Sequence, residues 1–199
     1  MDLADCFERF TATAFRLETL DSYDTPGEAA GLAAFRAGQP VPERSMWGTL
    51  WVGRISNSIA AGKHWSRVHI VTRPVTEYVR YAIASYLEST AAGEDIGLAS
   101  RDSVAALAGL QTDFWLFDHE TSYPFAAIMT YDSAGRYLGA EVTDAPPVIA
   151  RCIGQRALAL AAAQPVAEYV KEMEAARPDA TIGPAATMRR DQAGASSLE

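Results

Sequence analysis

An arginine–glutamate pair near the amino terminus has the residue types and spacing of a ligand-binding or proton-transfer site. Arg16 and Glu18 stand two positions apart inside an apolar stretch. Alternating burial would direct both side chains into a groove between the N-terminal segment and a sheet. The competing interpretation is a structural ion pair that holds this segment to the domain, and such pairs stabilise little when exposed. The spacing alone leaves both interpretations open.

A set of carboxylates further along the chain could perform acid–base chemistry. Its members fall in neighbouring predicted strands and turns; they are Asp113, Asp118, Asp132 and Glu141. A predicted central helix would place Glu77 or Arg80 close to them. Carboxylates whose environments separate their pKa values can act as acid and base. Aspartates in turns more often cap backbone N–H groups. We therefore expect no catalytic residue here.

The candidates for binding a ligand or a protein partner combine these charged residues with nearby aromatic ones. They are Arg16, Glu18, Glu77, Arg80, Tyr81, Asp113, Trp115 and Asp118. We predict no metal site and no cofactor. His119 lies between two acidic residues but lacks an HxH or HExxH partner, and Cys6 and Cys152 have no CxxC spacing. The sequence also has no GxSxG, GxxxxGK[ST] or GxGxxG motif, which favours a non-catalytic protein.

The clearest predicted element is a strand-helix-strand unit at about residues 67–101. Val68, Ile70 and Val71 indicate a strand, and apolar residues from Val75 to Ala92 follow helical spacing. Pro74 is expected at the first helical position. A second strand follows at 96–99, and the helix between them predicts a parallel, right-handed crossover.

The flanking elements complete an α/β (α+β) fold with a mixed sheet of about five strands. Segments 113–117, 125–131 and 137–142 predict an antiparallel three-strand meander. Helical spacing predicts N-terminal helices at 4–20, 28–36 and 46–61, and a long C-terminal helix begins near Val148. Trp47 and Trp51 share one helix face, and core packing is the usual role of such residues.

Composition indicates one globular domain at 1–176 and a disordered tail at 177–199. Hydrophobic residues make up 49% of the 199 residues, which is typical of a chain with a real core. The tail is rich in Pro, Ala, Gly and Ser, and its final Leu198 and Glu199 are typical of a vector-derived end. Neither a secretory signal nor a membrane span is recognisable, so we expect a cytoplasmic protein with no membrane partner.

Three stretches together resemble one known family. They are Phe15-Arg16-Leu17-Glu18 with Tyr23, the segment from Arg67 through Pro74 and Tyr78 to Ile96, and Asp113 to Asp118 with Tyr131-Asp132 and Gly135. This is an actinobacterial domain family of unknown function, encoded near XRE-type helix-turn-helix regulators, and the likeness covers about residues 7–170. It implies a regulator protein as partner but assigns no catalytic residue.

The order of elements is also similar to half of a phospholipase D-type fold. Those enzymes use an HxKxxxxD motif, which this chain lacks because Lys63 precedes His64. The likeness therefore implies a distant, degenerate relative without that activity.

Two functional hypotheses follow. The first is a non-catalytic binding or regulatory module that acts with a helix-turn-helix transcription regulator. The alternative is a small-molecule sensor or enzyme with a pocket between the N-terminal helices and the sheet. The net charge of −8 disfavours direct nucleic-acid binding, while a homodimer stays open.

Overall fold

The computed structural model describes residues 2–39 and 46–175, with the backbone alone for residues 46–49. The helices are Leu3–Arg9 (α1), Ala29–Arg36 (α2), Met46–Ala60 (α3), Glu77–Ala91 (α4), Pro146–Ala162 (α5) and Val166–Ala175 (α6). The strands are Thr13–Glu18 (β1), His64–Val71 (β2), Asp95–Ser100 (β3), Phe114–Phe117 (β4), Phe125–Tyr131 (β5), Tyr137–Thr143 (β6) and Gln164–Pro165 (β7). The predicted tail at 177–199 lies outside the described residues.

The strands form one mixed sheet of seven strands in the order β6-β5-β4-β1-β2-β3-β7. Strand β2 pairs in parallel with β1 and β3, and the remaining pairs are antiparallel. The predicted strand-helix-strand unit is confirmed as β2-α4-β3, and the predicted meander as β4-β5-β6. The estimate of about five strands omitted β1 and the short β7.

The predicted helix over residues 4–20 is wrong beyond Arg9. The chain forms α1 there and then the strand β1, whose six residues are all buried. Phe15 and Leu17 face one side of the sheet, while Arg16 and Glu18 face the other. Because both faces of this central strand are covered, polar and apolar residues are buried alike. The alternation over Phe15-Arg16-Leu17-Glu18 does have a strand's period of two, but it spans only four residues and competes with the helical spacing of the apolar residues around it.

The start of α4 also differs from the prediction. Thr76 is the N-cap, and its hydroxyl accepts a hydrogen bond from the Val79 N–H. Pro74 lies before the helix rather than at its first position. Threonine is a favourable N-cap because its oxygen satisfies an N–H group that has no partner within the helix.

The two faces of the sheet are covered differently. One face packs mainly on α5 through an apolar cluster that includes Phe15, Leu17, Val68, Ile70 and Leu116. The opposite face carries two apolar clusters, one beside α1 and α3 and one beside α4 and α6. Charged side chains of the central strands β1 and β2 lie between these two clusters. No helix in the described part of the chain is both long and apolar enough to cross a membrane.

Asp118 fixes the entry of β1 into the sheet. Its carboxylate accepts hydrogen bonds from the backbone N–H groups of Thr11, Ala12 and Thr13, at 2.7–3.1 Å. The residue is buried and has a φ of 53°, a conformation that Asp tolerates better than most residues. Asp118 therefore acts as a backbone anchor.

We expect Asp118→Ala to lower the free energy of unfolding by about 3 kcal/mol, because it removes a buried acceptor shared by three N–H groups, of which that of Thr13 is buried. Urea unfolding measures this loss. Asp132→Ala is the matched control, since Asp132 caps the exposed turn N–H groups of Ala134 and Arg136. Equal losses in the two variants would contradict the anchoring role.

Candidate functional site

Five charged side chains form a continuous chain across the centre of the sheet. Arg16 on β1 and Arg67 on β2 are register partners, and Glu18 lies between their guanidinium groups. Glu18 Oε1 is 2.8 Å from Arg67 Nη1 and 3.5 Å from Arg16 Nε. Asp113 closes one end, 2.6 Å from Arg16 Nη2, and Glu94 closes the other, 3.0 Å from Arg67 Nε. We call this alternating series the ion chain.

The environments of the ion chain shift the pKa values of its two glutamates in opposite directions. Burial alone would raise the pKa of Glu18, but the charges of Arg67 and Arg16 outweigh it and lower the pKa to about 2. At Glu94 burial dominates and raises the pKa, because Arg67 compensates only in part. Glu94 Oε2 also has no hydrogen-bond partner among the described residues. Glu18 is thus a fixed anion at the centre of the chain.

Two residues hold Arg16 in place. Trp115 lies on β4, and Asp113 immediately precedes that strand. Asp113 Oδ1 accepts hydrogen bonds from the N–H and hydroxyl of Thr19, and its Oδ2 accepts from Arg16 and the Tyr23 hydroxyl. The Trp115 ring lies 5.8 Å from the guanidinium carbon of Arg16 and 5.9 Å from that of Arg67. A ring face attracts such cations, so Trp115 stabilises both.

His69 and Tyr86 extend the network from Glu18 into the helix layer. The Tyr86 hydroxyl donates to Glu18 Oε2 at 2.7 Å and lies 2.9 Å from His69 Nδ1. His69 Nε2 donates to the carbonyl of Leu20 at 2.8 Å. These contacts attach α4 to β1 and β2 through hydrogen bonds instead of apolar packing alone.

A cavity of about 880 Å³ opens above the ion chain. Its sheet side contains Arg16, Glu18, Arg67 and Met129, and its walls carry seven aromatic side chains. The aromatic residues are Tyr23, Trp51, Tyr78, Tyr81, Tyr86, Tyr131 and Tyr137. We call it the tyrosine cavity. Ligand sites of small molecules commonly have volumes of about 300–1,000 Å³ and this mixture of apolar walls and a few polar groups.

Four of the tyrosine hydroxyls in the cavity stay protonated at neutral pH. Burial raises the pKa of Tyr131 to about 12 and raises those of Tyr23, Tyr78 and Tyr86 as well. Neutral phenols offer apolar ring faces and hydroxyl groups that donate or accept hydrogen bonds. The lining therefore suits recognition of a planar molecule with some polar edges.

One wall of the cavity consists of the segment from Tyr23 to α2. The Asp24 N–H donates to the Gly135 carbonyl at 3.0 Å, and the Tyr78 hydroxyl donates to Glu28 at 2.9 Å. A side chain at Gly135 would collide with the Ser22 carbonyl, since an added Cβ would lie 2.5 Å from its oxygen. The turn between β5 and β6 thereby fixes the first half of this wall.

The structure brings together five of the eight sequence-predicted site residues. Arg16, Glu18 and Tyr81 line the cavity, while Asp113 and Trp115 hold Arg16 from behind. The others lie elsewhere. Asp118 anchors the backbone, Glu77 forms an exposed ion pair with Arg36, and Arg80 is exposed and does not line the cavity. Glu77 and Arg80 thus point to solvent, while Tyr81 on the same helix lines the cavity.

Sequence reasoning missed Arg67 and most of the tyrosines as site residues. Tyr78 and Tyr86 follow the helical period and were assigned to the core, where each is indeed largely buried. Tyr131 and Tyr137 meet through the register of β5 and β6, which no local pattern reveals. Trp51, also assigned to the core, packs on Trp65 and lines the cavity as well. The side chain of Trp47 lies outside the described part.

Among the described residues no group of His, Cys, Asp or Glu could hold a metal ion.

We expect Glu18→Gln to lower the free energy of unfolding at neutral pH by about 3 kcal/mol, because it leaves two buried guanidinium groups without their shared anion. Chemical denaturation measures the change. Glu77→Gln is the matched control, since that ion pair is exposed and such pairs contribute little.

The same variant tests the pH dependence. Because the pKa of Glu18 is lower in the folded protein than its ordinary value of 4.5, its stabilisation is complete above about pH 5 and is lost as the pH falls towards about 2. Glu94, whose pKa is raised, acts in the opposite direction. Wild-type protein should lose more stability than Glu18→Gln between about pH 6 and about pH 3. Parallel profiles would show that Glu18 is not the coupled group.

Comparisons with known proteins identify the family of this chain. Comparison with curated proteins finds no match. A family model described as a domain of unknown function, DUF6879, matches residues 1–171, which include every described residue of the ion chain and the tyrosine cavity. The chain belongs to this family.

Proposed function

We propose that this protein is a non-catalytic module that binds a small molecule in the tyrosine cavity. The observation that carries the proposal is the cavity itself, which sets seven aromatic side chains over a buried ion chain. If this face of the sheet served only to stabilise the fold, closely packed apolar side chains would be enough and no cavity would be needed. An open space of ligand size beside buried charges is typical of a binding site.

The states of the lining groups favour binding over catalysis. A general base works best when its pKa lies near the working pH, whereas the pKa of Glu18 is lowered to about 2. Asp113 already accepts four hydrogen bonds. Burial raises the pKa values of Tyr78, Tyr86 and Tyr131. His69 is engaged at both ring nitrogens. These fixed states support recognition of a ligand without proton transfer to it.

We further propose that the module acts with a helix-turn-helix regulator protein, as the family resemblance suggests. The net charge of −8 supports this association, because an acidic surface complements the basic face of a DNA-binding protein. Co-purification of the two proteins tests it, and the absence of any interaction at micromolar concentration would contradict it. Ligand binding in the cavity would then be the signal that the pair transmits.

We expect the neutral aromatic probe indole to bind saturably, and Gly27→Trp to weaken its binding about tenfold or more. Gly27 is an exposed residue of the cavity lining, and an added Cβ there would meet open space, so a large ring can be added at the edge of the cavity without disturbing the fold. Occupying the pocket removes the apolar surface that drives binding. Titration followed by ligand-observed NMR gives the affinities.

Gly154→Trp is the matched control. Gly154 is an exposed residue of α5, the helix that packs on the opposite face of the sheet. An added Cβ there also meets open space. It should bind indole as the wild type does. Equal weakening in both variants, or none in either, would contradict binding in the tyrosine cavity.

A further inference from the structure

Polar groups on the sheet side of the tyrosine cavity have hydrogen-bonding positions that the described residues leave unoccupied. Arg67 donates through Nε to Glu94 and through Nη1 to Glu18. Its Nη2 carries two further N–H groups, which have no acceptor among the described residues. The Arg67 side chain keeps 11% of its surface exposed and lines the cavity. It therefore presents unused hydrogen-bond donors to a ligand.

Glu18 presents an unused acceptor beside these donors. A carboxylate offers about four acceptor positions. Arg67 and Tyr86 donate to two of them, while Arg16 Nε at 3.5 Å and His69 Nδ1 at 4.0 Å lie farther away. The Glu18 side chain is also 11% exposed and lines the cavity. Since the Glu18 carboxylate and the Arg67 guanidinium are 2.8 Å apart, a ligand that touches one meets the other.

The charge of this surface limits which ligand can use both groups. The ion chain contains three carboxylates and two guanidinium groups, so an anionic ligand would add to an excess of negative charge. A cationic ligand would face the free N–H groups of Arg67, which repel it. A neutral group with one acceptor and one donor side by side satisfies both partners.

We infer that the ligand is a neutral planar heteroaromatic compound with a lactam edge, whose C=O accepts from Arg67 and whose adjacent N–H donates to Glu18. The aromatic walls fit the ring faces of such a compound. The volume of about 880 Å³ leaves space for substituents on the ring. This inference rests on the proposed function, because it names the ligand class of the same cavity.

Calorimetric titration of the full chain with hypoxanthine tests the inference without changing the ion chain. Hypoxanthine is a neutral bicyclic compound with a lactam edge. The matched probe is its derivative methylated at the lactam nitrogen, which keeps the rings and the C=O but lacks the N–H. We expect the methylated compound to bind about tenfold more weakly or worse, because Glu18 then loses its donor.

Three other outcomes would overturn the inference in distinguishable ways. Equal affinity for hypoxanthine, its methylated derivative and indole would show that the lactam edge is not recognised. The tyrosine cavity would still be a binding site. Tighter binding of benzyltrimethylammonium would show that the site prefers an aromatic cation. If none of these four probes bound, both the ligand class and the proposed function would be wrong.

Discussion

The burial of two arginines on neighbouring central strands is the constraint on which the rest of the structure depends. Arg16 and Arg67 are register partners, and like charges side by side in a sheet are unfavourable. The fold resolves this by placing Glu18 between them and Asp113 and Glu94 at the ends. Removing one member of a buried ion pair is costly because a charge is left unpaired. The ion chain therefore requires that β1, β2 and the segments leading into β3 and β4 keep their relative positions.

The ion chain also explains why a cavity forms on this face of the sheet. Apolar clusters pack closely on both sides of it, one beside α1 and α3 and one beside α4 and α6. Between them, apolar side chains cannot cover charged groups without removing polar contacts from them. Tyrosines solve part of this problem, since the hydroxyls of Tyr23, Tyr86 and Tyr131 bond to the ion chain while the same side chains line the cavity. The space that remains is what a ligand can fill.

The sequence predicted the elements with a local period well and the centre of the sheet poorly. The unit β2-α4-β3 and the meander are visible in periods of 3.6 and two residues. Strand β1 was not, because its alternation of apolar and polar residues spans only Phe15 to Glu18 and competes with a helical spacing of the apolar residues around it. The pairing of Arg16 and Glu18 on one face was nevertheless foreseen as an outcome of alternating burial. Their contact with Arg67 depends on the parallel register of β1 and β2, which is a long-range property that local spacing does not contain.

The proposed ligand site is the tyrosine cavity above the ion chain, and methionine methyl NMR can report its occupancy from inside the cavity. Met129 lines the cavity and contacts the Arg16 guanidinium, whereas Met173 packs in the cluster beside α6 and does not line the cavity. In protein labelled at methionine methyl groups, titration with hypoxanthine should shift the Met129 signal saturably and leave the Met173 signal in place. Saturable binding that leaves Met129 unmoved would contradict the account.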